Sequence, residues 1–288
     1  MRIFIIGKNG QIGRAIISSL KKQKQQVSAF SKDELDITRD SDVRNAIKKY
    51  NPDIVINASG YHVVADCEKY PDRAFEVNTS AVLNLARACN ERKIRLVNFS
   101  TDRVFDGTKK VPYKEEDGPN PLQIYGISKL AGELVAHAYN SESITIRTCG
   151  VFGGKTGSSM KKGNFVLYIL DQAKKNKEIE ISSEQTASFA NADDLAEGLI
   201  KLIELKAPAG IYHLINEGYG TWSEFAQEIV SQSKENLKII PINRKGVYGD
   251  TRIPLFVPLL NTKAKKLGVV LPPWQDGLKR YLKFLKYI

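Results

Sequence analysis

Ile3-Phe4-Ile5-Ile6-Gly7-Lys8-Asn9-Gly10-Gln11-Ile12-Gly13-Arg14-Ala15-Ile16-Ile17 opens the chain and decides how it folds. Four apolar residues read as a short buried strand, three glycines as a turn, and the run from Ala15 to Leu20 as a helix with one apolar face. Strand, glycine turn and helix in this order point to a nucleotide site. The glycines let the backbone turn tightly and approach a pyrophosphate, and the free amides at the helix start attract its charge. The spacing is Gly-x-x-Gly-x-x-Gly rather than Gly-x-Gly-x-x-Gly, and Gly7, Asn9, Gly10, Gln11 and Ile12 are the candidate contacts.

Outward from that unit the alternation continues. Residues 26–30 read as a second strand, 41–49 as a helix begun by capping-type residues, 53–58 as a third strand and 73–92 as a helix. A fourth strand over 95–101, a helix over 125–139 and a fifth strand over 144–147 follow. Short apolar strands separated by helices predict an α/β fold with a doubly wound parallel sheet, in which ligands bind at the carboxyl ends of strands. Those ends carry Gly7 to Gly13, Asn57 to Tyr61, Ser100 to Asp102 and Thr148 onward. Past Phe152 the pattern changes to Gly153-Gly154-Lys155-Thr156-Gly157 and a helix over 165–176. Residues 190–205 and 210–215 read as one more helix and strand able to rejoin the sheet. Then come a helix over 222–233, an extended run over 237–241, a Pro-bounded loop over 252–258 and a terminal helix after Pro272-Pro273. The expected organisation is a nucleotide-binding domain over 1–150, rejoined by 187–215, with a smaller α/β substrate lobe made of 151–186 and 216–288.

With 288 residues and 42% hydrophobic content the chain can bury a substantial core. Its formal charge of +11 is spread over separate lysine pairs such as Lys21-Lys22, Lys109-Lys110 and Lys265-Lys266, which reads as helix faces and ends and not as a nucleic-acid footprint. Cys67, Cys89 and Cys149 lack metal-ligand spacing, and His62, His137 and His213 are dispersed, so no metal site is expected and the thiols read as reduced. No apolar run reaches the roughly 18 residues that span a bilayer, and the first residues form a core strand, so the expectation is a cytoplasmic protein without membrane or nucleic-acid partners.

Tyr125-Gly126-Ile127-Ser128-Lys129 places a phenol and an ammonium four residues apart, on one helical face. A phenol titrates near about pH 10 on its own, and a neighbouring cation favours its phenolate, so such a pair can run acid/base chemistry.

With the glycine turn, Asn57-Ala58-Ser59-Gly60-Tyr61, Phe99-Ser100-Thr101-Asp102 and Tyr125-x-x-x-Lys129 in this order, the chain resembles the extended short-chain dehydrogenase/reductases. Further runs match the pattern of the dTDP-4-dehydrorhamnose reductase subfamily: Gly10-Gln11-Ile12-Gly13, Glu34-Leu35-Asp36-Ile37-Thr38, Val104-Phe105-Asp106-Gly107, Gly210-Ile211-Tyr212-His213-Leu214 and Leu271-Pro272-Pro273-Trp274. The resemblance covers nearly the whole chain. It implies a Rossmann sheet and reduction of a nucleotide-sugar 4-ketone, in which Tyr125 gives a proton to the C4 oxygen, Thr101 hydrogen-bonds the same oxygen, and Lys129 lowers the tyrosine pKa and holds the nicotinamide ribose. It also implies cofactor contacts at Ala58, Ser59 and Gly60, and an adenine-contacting pair in Asp36 and Ile37. An acid directly ending the second strand would favour NAD. Here that end is Phe30-Ser31-Lys32, whose hydroxyl and cation suit a 2′-phosphate, so NADPH is expected over NADH, with Asp33 as the counter-argument.

Several positions depart from the subfamily pattern. Its Ser-Thr-Asp-Tyr is Ser100-Thr101-Asp102-Arg103, the aromatic after Arg147-Thr148-Cys149 is Gly150, the threonine after Tyr61 is His62, an acidic residue is Ala65, and Gln-x-Gly-x-Pro-Thr is Gln185-Thr186-Ala187-Ser188-Phe189-Ala190. His62, Val64, Asp102, Arg103 and Gly150 are the candidate sugar contacts. Gly150 is expected to open volume and Arg103 to add a cation for a carboxylate or phosphate, so the sugar need not be the rhamnose precursor. A glutamate that some members use for a divalent metal is Ala15, and no metal requirement is expected. Two other roles fit the same motifs: an epimerase or dehydratase of nucleotide sugars, and an NADP-binding regulatory subunit similar to that of methionine adenosyltransferase. The sequence is compatible with a homodimer and does not specify one.

Overall fold

A computed structural model describes residues 1–155, 163–243, 247–248 and 251–288, so Thr156 and Gly157 of the glycine-rich run lie outside it. β1 (Arg2–Ile6) enters the glycine turn and α1 (Gln11–Lys22), and β2 (Gln26–Phe30) returns parallel to β1 with Ile3 opposite Val27. α2 (Asp40–Tyr50) leads to β3 (Ile54–Asn57), which pairs with the other side of β1. α3 (Val64–Lys69), α4 (Pro71–Phe75) and α5 (Ala81–Asn90) connect to β4 (Arg95–Thr101), and α6 (Ile124–Tyr139) to β5 (Ile144–Thr148). Then come α7 (Phe165–Lys175), β6 (Glu178–Ser182), α8 (Ala192–Glu204), β7 (Gly210–His213), α9 (Trp222–Gln232), β8 (Lys238–Ile242), α10 (Thr262–Lys266) and α11 (Trp274–Phe284).

The central sheet has the order β7-β5-β4-β3-β1-β2, and every pairing is parallel. β1 lies between β2 and β3, so the winding reverses there and opens a crevice at the carboxyl ends of β1 and β3. Alternation along the strands sends Ile3 and Ile5 into a core with Ile16 of α1 and Leu195 and Leu199 of α8, and Phe4 and Ile6 into a second core with Val43 of α2 and Leu85 of α5. Both faces of the sheet are therefore dry, which is why its strands read as unbroken apolar runs.

A third core gathers Phe152, Phe189, Phe225, Trp274 and Tyr281 between α7, α9 and α11, with the Phe189 and Phe225 rings stacked at 4.1 Å. β6 and β8 pair in parallel beside it. The strand at 178–182 is absent from the sequence expectation, because Glu178 and Glu180 are charged and the strand buries only Ile181 fully. The expected single helix over 73–92 is interrupted by a π-type turn at Glu76–Ser80, which carries Asn78 into the interior. Among the described residues no helix is long and apolar enough to cross a membrane.

Candidate active site

The glycine turn is held against the sheet by its own backbone: the amides of Gly7 and Lys8 both donate to Phe30 O, at 2.9 and 3.0 Å. Gly7 has φ +92°, and a Cβ there would lie 2.8 Å from Ala58 O; a Cβ on Gly13 would lie 2.3 Å from Gly7 O. These two contacts fix the turn close to the β3 end. Gly10 is the N-cap of α1 and offers no side-chain cap, so the first amides of a 12-residue helix are left to a ligand. The donor set and the close backbone approach fit the pyrophosphate of a dinucleotide. Asn9 is exposed on the turn, Ile12 is half-buried, and Gln11 ties the turn to the third core by donating to Gly153 O at 3.0 Å.

At the β3 end the Asn57 side chain accepts from Ser59 N and Ser59 Oγ, at 3.2 and 2.5 Å, which turns the chain through Ala58, Ser59 and Gly60. A Cβ on Gly60 would lie 3.7 Å from Lys129 Nζ, so the ammonium of α6 sits directly beneath this loop. Tyr125, one turn earlier on α6, stands beside the Thr101 hydroxyl at the β4 end, close enough for that hydroxyl to favour its phenolate. The Thr101 hydroxyl in turn donates to Asp102 Oδ1 at 2.9 Å and accepts from Arg103 N at 3.2 Å. Glycine turn, β3 loop, Thr101, Tyr125 and Lys129 thus converge at the carboxyl edge of β1, β3 and β4.

Burial shapes the titrations here. It pushes the Tyr125 phenol well above its usual 10, and the leading influences that hold it down are the Thr101 hydrogen bond and the Arg103 guanidinium, a part the sequence reading gave to Lys129. Burial also lowers Lys129 to about 8, opposed chiefly by the Glu133 carboxylate. Burial raises Asp102 toward its neutral form, against the Arg103 charge and the Thr101 hydrogen bond.

At the β2 end Ser31 is buried, but its amide and hydroxyl both donate to Glu34 Oε2, at 2.7 and 2.9 Å, and Lys8 Nζ donates to Glu34 Oε1 at 2.6 Å. The Lys8 hydrogen bond is the main reason that Glu34 falls to about 2. Lys32 is exposed and 4.0 Å from Asp36, whose Oδ1 instead accepts from Thr38 N and Thr38 Oγ1. Ile37 is buried in the core with α2.

Asn78 is a residue the sequence reading missed. Its Oδ1 accepts from Tyr61 N at 2.9 Å, and its Nδ2 donates to Tyr61 O at 2.8 Å and to Ser128 Oγ at 3.0 Å, so it clamps the β3 loop to the helix of Tyr125 and Lys129. A second missed group is the buried pair Glu133–Arg147, 2.6 Å apart, with Ser100 Oγ donating to the same carboxylate. It supports β4, β5 and α6 directly under Lys129. The asparagine in a helix and an acid fourteen residues from an arginine carry no local signal; only their placement reveals them.

The family model described as RmlD substrate binding domain matches residues 1–287. The chain belongs to this family. The spore coat polysaccharide biosynthesis protein SpsK of Bacillus subtilis (strain 168) is 32% identical over 98% of this chain and 96% of its own length. Among solved structures, the dTDP-4-dehydrorhamnose reductase of Clostridium acetobutylicum ATCC 824 superposes with a TM-score of 0.94 at 30% identity, covering 99% of this chain and 100% of that one. The Bacillus anthracis str. Ames dTDP-4-dehydrorhamnose reductase, solved in complex with NADP, gives 0.92 at 30% identity over 99% of both chains.

The departures from the RmlD family pattern lie around the same crevice. Gly150 has φ +51°, and a Cβ there would lie 2.7 Å from Ser188 O and 2.9 Å from Phe189 Cδ1. The position is therefore packed against the third core rather than facing free volume, and the expected opening of the pocket is not what this glycine provides. His62 Nδ1 lies 3.4 Å from Gly60 O on the β3 loop, and Val64 is the first residue of α3, which follows that loop. Ala15 is buried in the α1 core, and among the described residues no cluster of metal-ligating side chains occurs.

Proposed function

We propose that this chain reduces the 4-keto group of a nucleotide sugar with NADPH. The observation that carries the reading is the placement of Tyr125 on α6 beside Thr101 at the β4 end, one helical turn from an ammonium placed under Gly60. The amides at the glycine turn and the Gly10 N-cap would hold the pyrophosphate, Ser31, Lys8 and Lys32 the 2′-phosphate, and Ala58 to Gly60 with Lys129 the nicotinamide ribose. When bound, NADPH supplies a hydride to the carbonyl carbon. Tyr125, kept as a neutral phenol by its enclosure, gives its proton to the carbonyl oxygen; the Thr101 hydroxyl, turned from Asp102 Oδ1, would donate to that oxygen as negative charge develops. Lys129 keeps a positive charge within reach of the tyrosine and the ribose. The NADP in the Bacillus anthracis structure and the polysaccharide role in the SpsK name support an NADP-dependent enzyme of polysaccharide biosynthesis; we place it in the cytoplasm, in deoxysugar formation, with the third core as its sugar-binding side. A homodimer is compatible with this reading.

The test is a panel of dTDP-, UDP-, GDP- and CDP-linked 4-keto sugars, incubated with NADPH or NADH and followed by loss of the reduced nicotinamide absorbance. Net consumption of NADPH with formation of a C4 alcohol is the expected result. Product formed without net consumption would assign an epimerase or dehydratase instead. Absence of turnover, together with a stoichiometric protein partner on pull-down, would assign a regulatory role.

A further inference from the structure

We propose that the sugar this chain binds carries an anionic group, a carboxylate being the best fit, and that Arg103 recognises it. The inference rests on the nucleotide-sugar reading above. Arg103 belongs to the single 3₁₀ turn Asp102–Val104 that follows β4, two residues after Thr101. Its backbone is locked there: its amide donates to Thr101 Oγ1 at 3.2 Å, and its carbonyl packs so closely on α6 that a Cβ on Gly126 would lie 2.1 Å away.

The guanidinium acts from one place on three groups, the Tyr125 phenol, the Asp102 carboxyl and the Cys149 thiol, favouring the charged form of each. These stand on α6, the β4 end and the residue after β5, the edge where the ketone must meet Tyr125, and Arg103 itself lies on the turn that leaves β4 at this edge. No ion pair among the described residues uses Arg103, and its Nη1 is buried without a hydrogen-bond partner. Asp102, the adjacent acid, has Oδ1 engaged by Thr101. Arg103 is half-buried and Asp102 beside it is pushed toward its neutral form, so the buried Nη1 has an unmet donor that an anionic group of a ligand would satisfy.

Two further buried side chains at the same edge have unmet polar atoms. Thr148 stands opposite Thr101 in the β4–β5 register, 5% exposed, with Oγ1 unpartnered. Gln123, the N-cap of α6 and 3% exposed, leaves both Oε1 and Nε2 unpartnered two residues before Tyr125. A guanidinium fork at an edge that also carries an unpartnered hydroxyl and an unpartnered amide suits a planar carboxylate, which takes two parallel hydrogen bonds from an arginine. The diphosphate of a nucleotide sugar is set apart from C4 by the width of the sugar ring, so a cation beside Tyr125 faces the ring and its substituents.

The test is calorimetric titration of the full chain, saturated with NADP⁺, with UDP-glucuronate, UDP-glucose and UDP, and with the dTDP counterparts of each. Wild type should bind the glucuronate at least about tenfold more tightly than the glucose of the same nucleotide. Arg103→Met should bring the two affinities within about threefold of each other, and Arg103→Lys should keep part of the gap. Thermal midpoints of both variants establish that they are folded. Equal affinities in wild type, or a preference that survives in Arg103→Met, would overturn the proposal. So would equal weakening of UDP itself, which would assign Arg103 to the diphosphate. Because the readout is binding, it is independent of whether any 4-keto sugar is turned over, and a silent reductase assay with an intact charge preference would count against the reaction alone.

Discussion

Lys129 is the residue whose environment has the clearest consequence. Burial takes its pKa from 10.5 to about 8, so the ammonium that the proposed reaction would use is lost within the working range. We expect kcat/KM for keto-sugar reduction to fall about tenfold per pH unit above roughly pH 8; a profile flat to pH 10 would contradict the placement of this charge. The effect on stability has the opposite sense. The unfolded chain binds the proton up to about pH 10.5 and the folded chain only to about 8, so the contribution of this lysine to stability rises with pH across that window. Glu34 supports a second expectation. It occupies the Ser31 and Lys8 donors that a 2′-phosphate would use, so Glu34→Gln should raise the ratio of NADPH to NADH affinity several-fold in fluorescence titrations, and an unchanged ratio would show that the phosphate is bound elsewhere. At this scale the candidate catalytic residues were legible as a group because Tyr125 and Lys129 share a helical face and Thr101 ends a strand. Their partners were not: Asn78 reaches the site from the π-type turn, and although Glu133 shares α6 with Lys129, its burial against Arg147 of β5 has no local signal.

The elements that were easy to read are those with a local period. β1, β3 and β4 are apolar runs and α1 is amphipathic, so each declares itself within a few residues. The π-type turn at Glu76–Ser80 was hidden because it widens one helical turn without breaking the apolar pattern that continues into α5. Gly150 misled for a related reason: its value lies in a positive φ and a close approach to Ser188, neither of which is written in its neighbours. Between elements, the pair Glu133–Arg147 links α6 to β5 with both residues 1% exposed. Replacing one partner leaves the other charge buried, and Glu133→Gln should cost about 3–5 kcal/mol in chemical denaturation. A loss below about 1 kcal/mol would mean that the pair is solvated or relaxes freely.

Across the whole molecule, the parallel sheet and the third core meet over the cofactor crevice: Gln11 of the glycine turn bonds Gly153, and β5 runs on to Phe152 of the aromatic cluster. A ligand bound at that junction should stabilise the entire chain. NADPH at a hundredfold excess over its Kd should add about 2.7 kcal/mol to unfolding and raise the thermal midpoint; no shift at saturation would argue against a dinucleotide site. The alternation of strands and helices made the sheet legible, whereas the parallel pairing of 178–182 with 238–242 joins segments far apart in the chain and could not be read locally. The central claim is that Tyr125 protonates a sugar ketone reduced by NADPH, and one measurement addresses it directly: single-turnover NADPH oxidation with a 4-keto nucleotide sugar, wild type against Tyr125→Phe, with cofactor affinity measured in parallel. The expected result is a rate reduced about 10²- to 10⁴-fold with NADPH binding retained; a variant that oxidises NADPH as fast as wild type would contradict it.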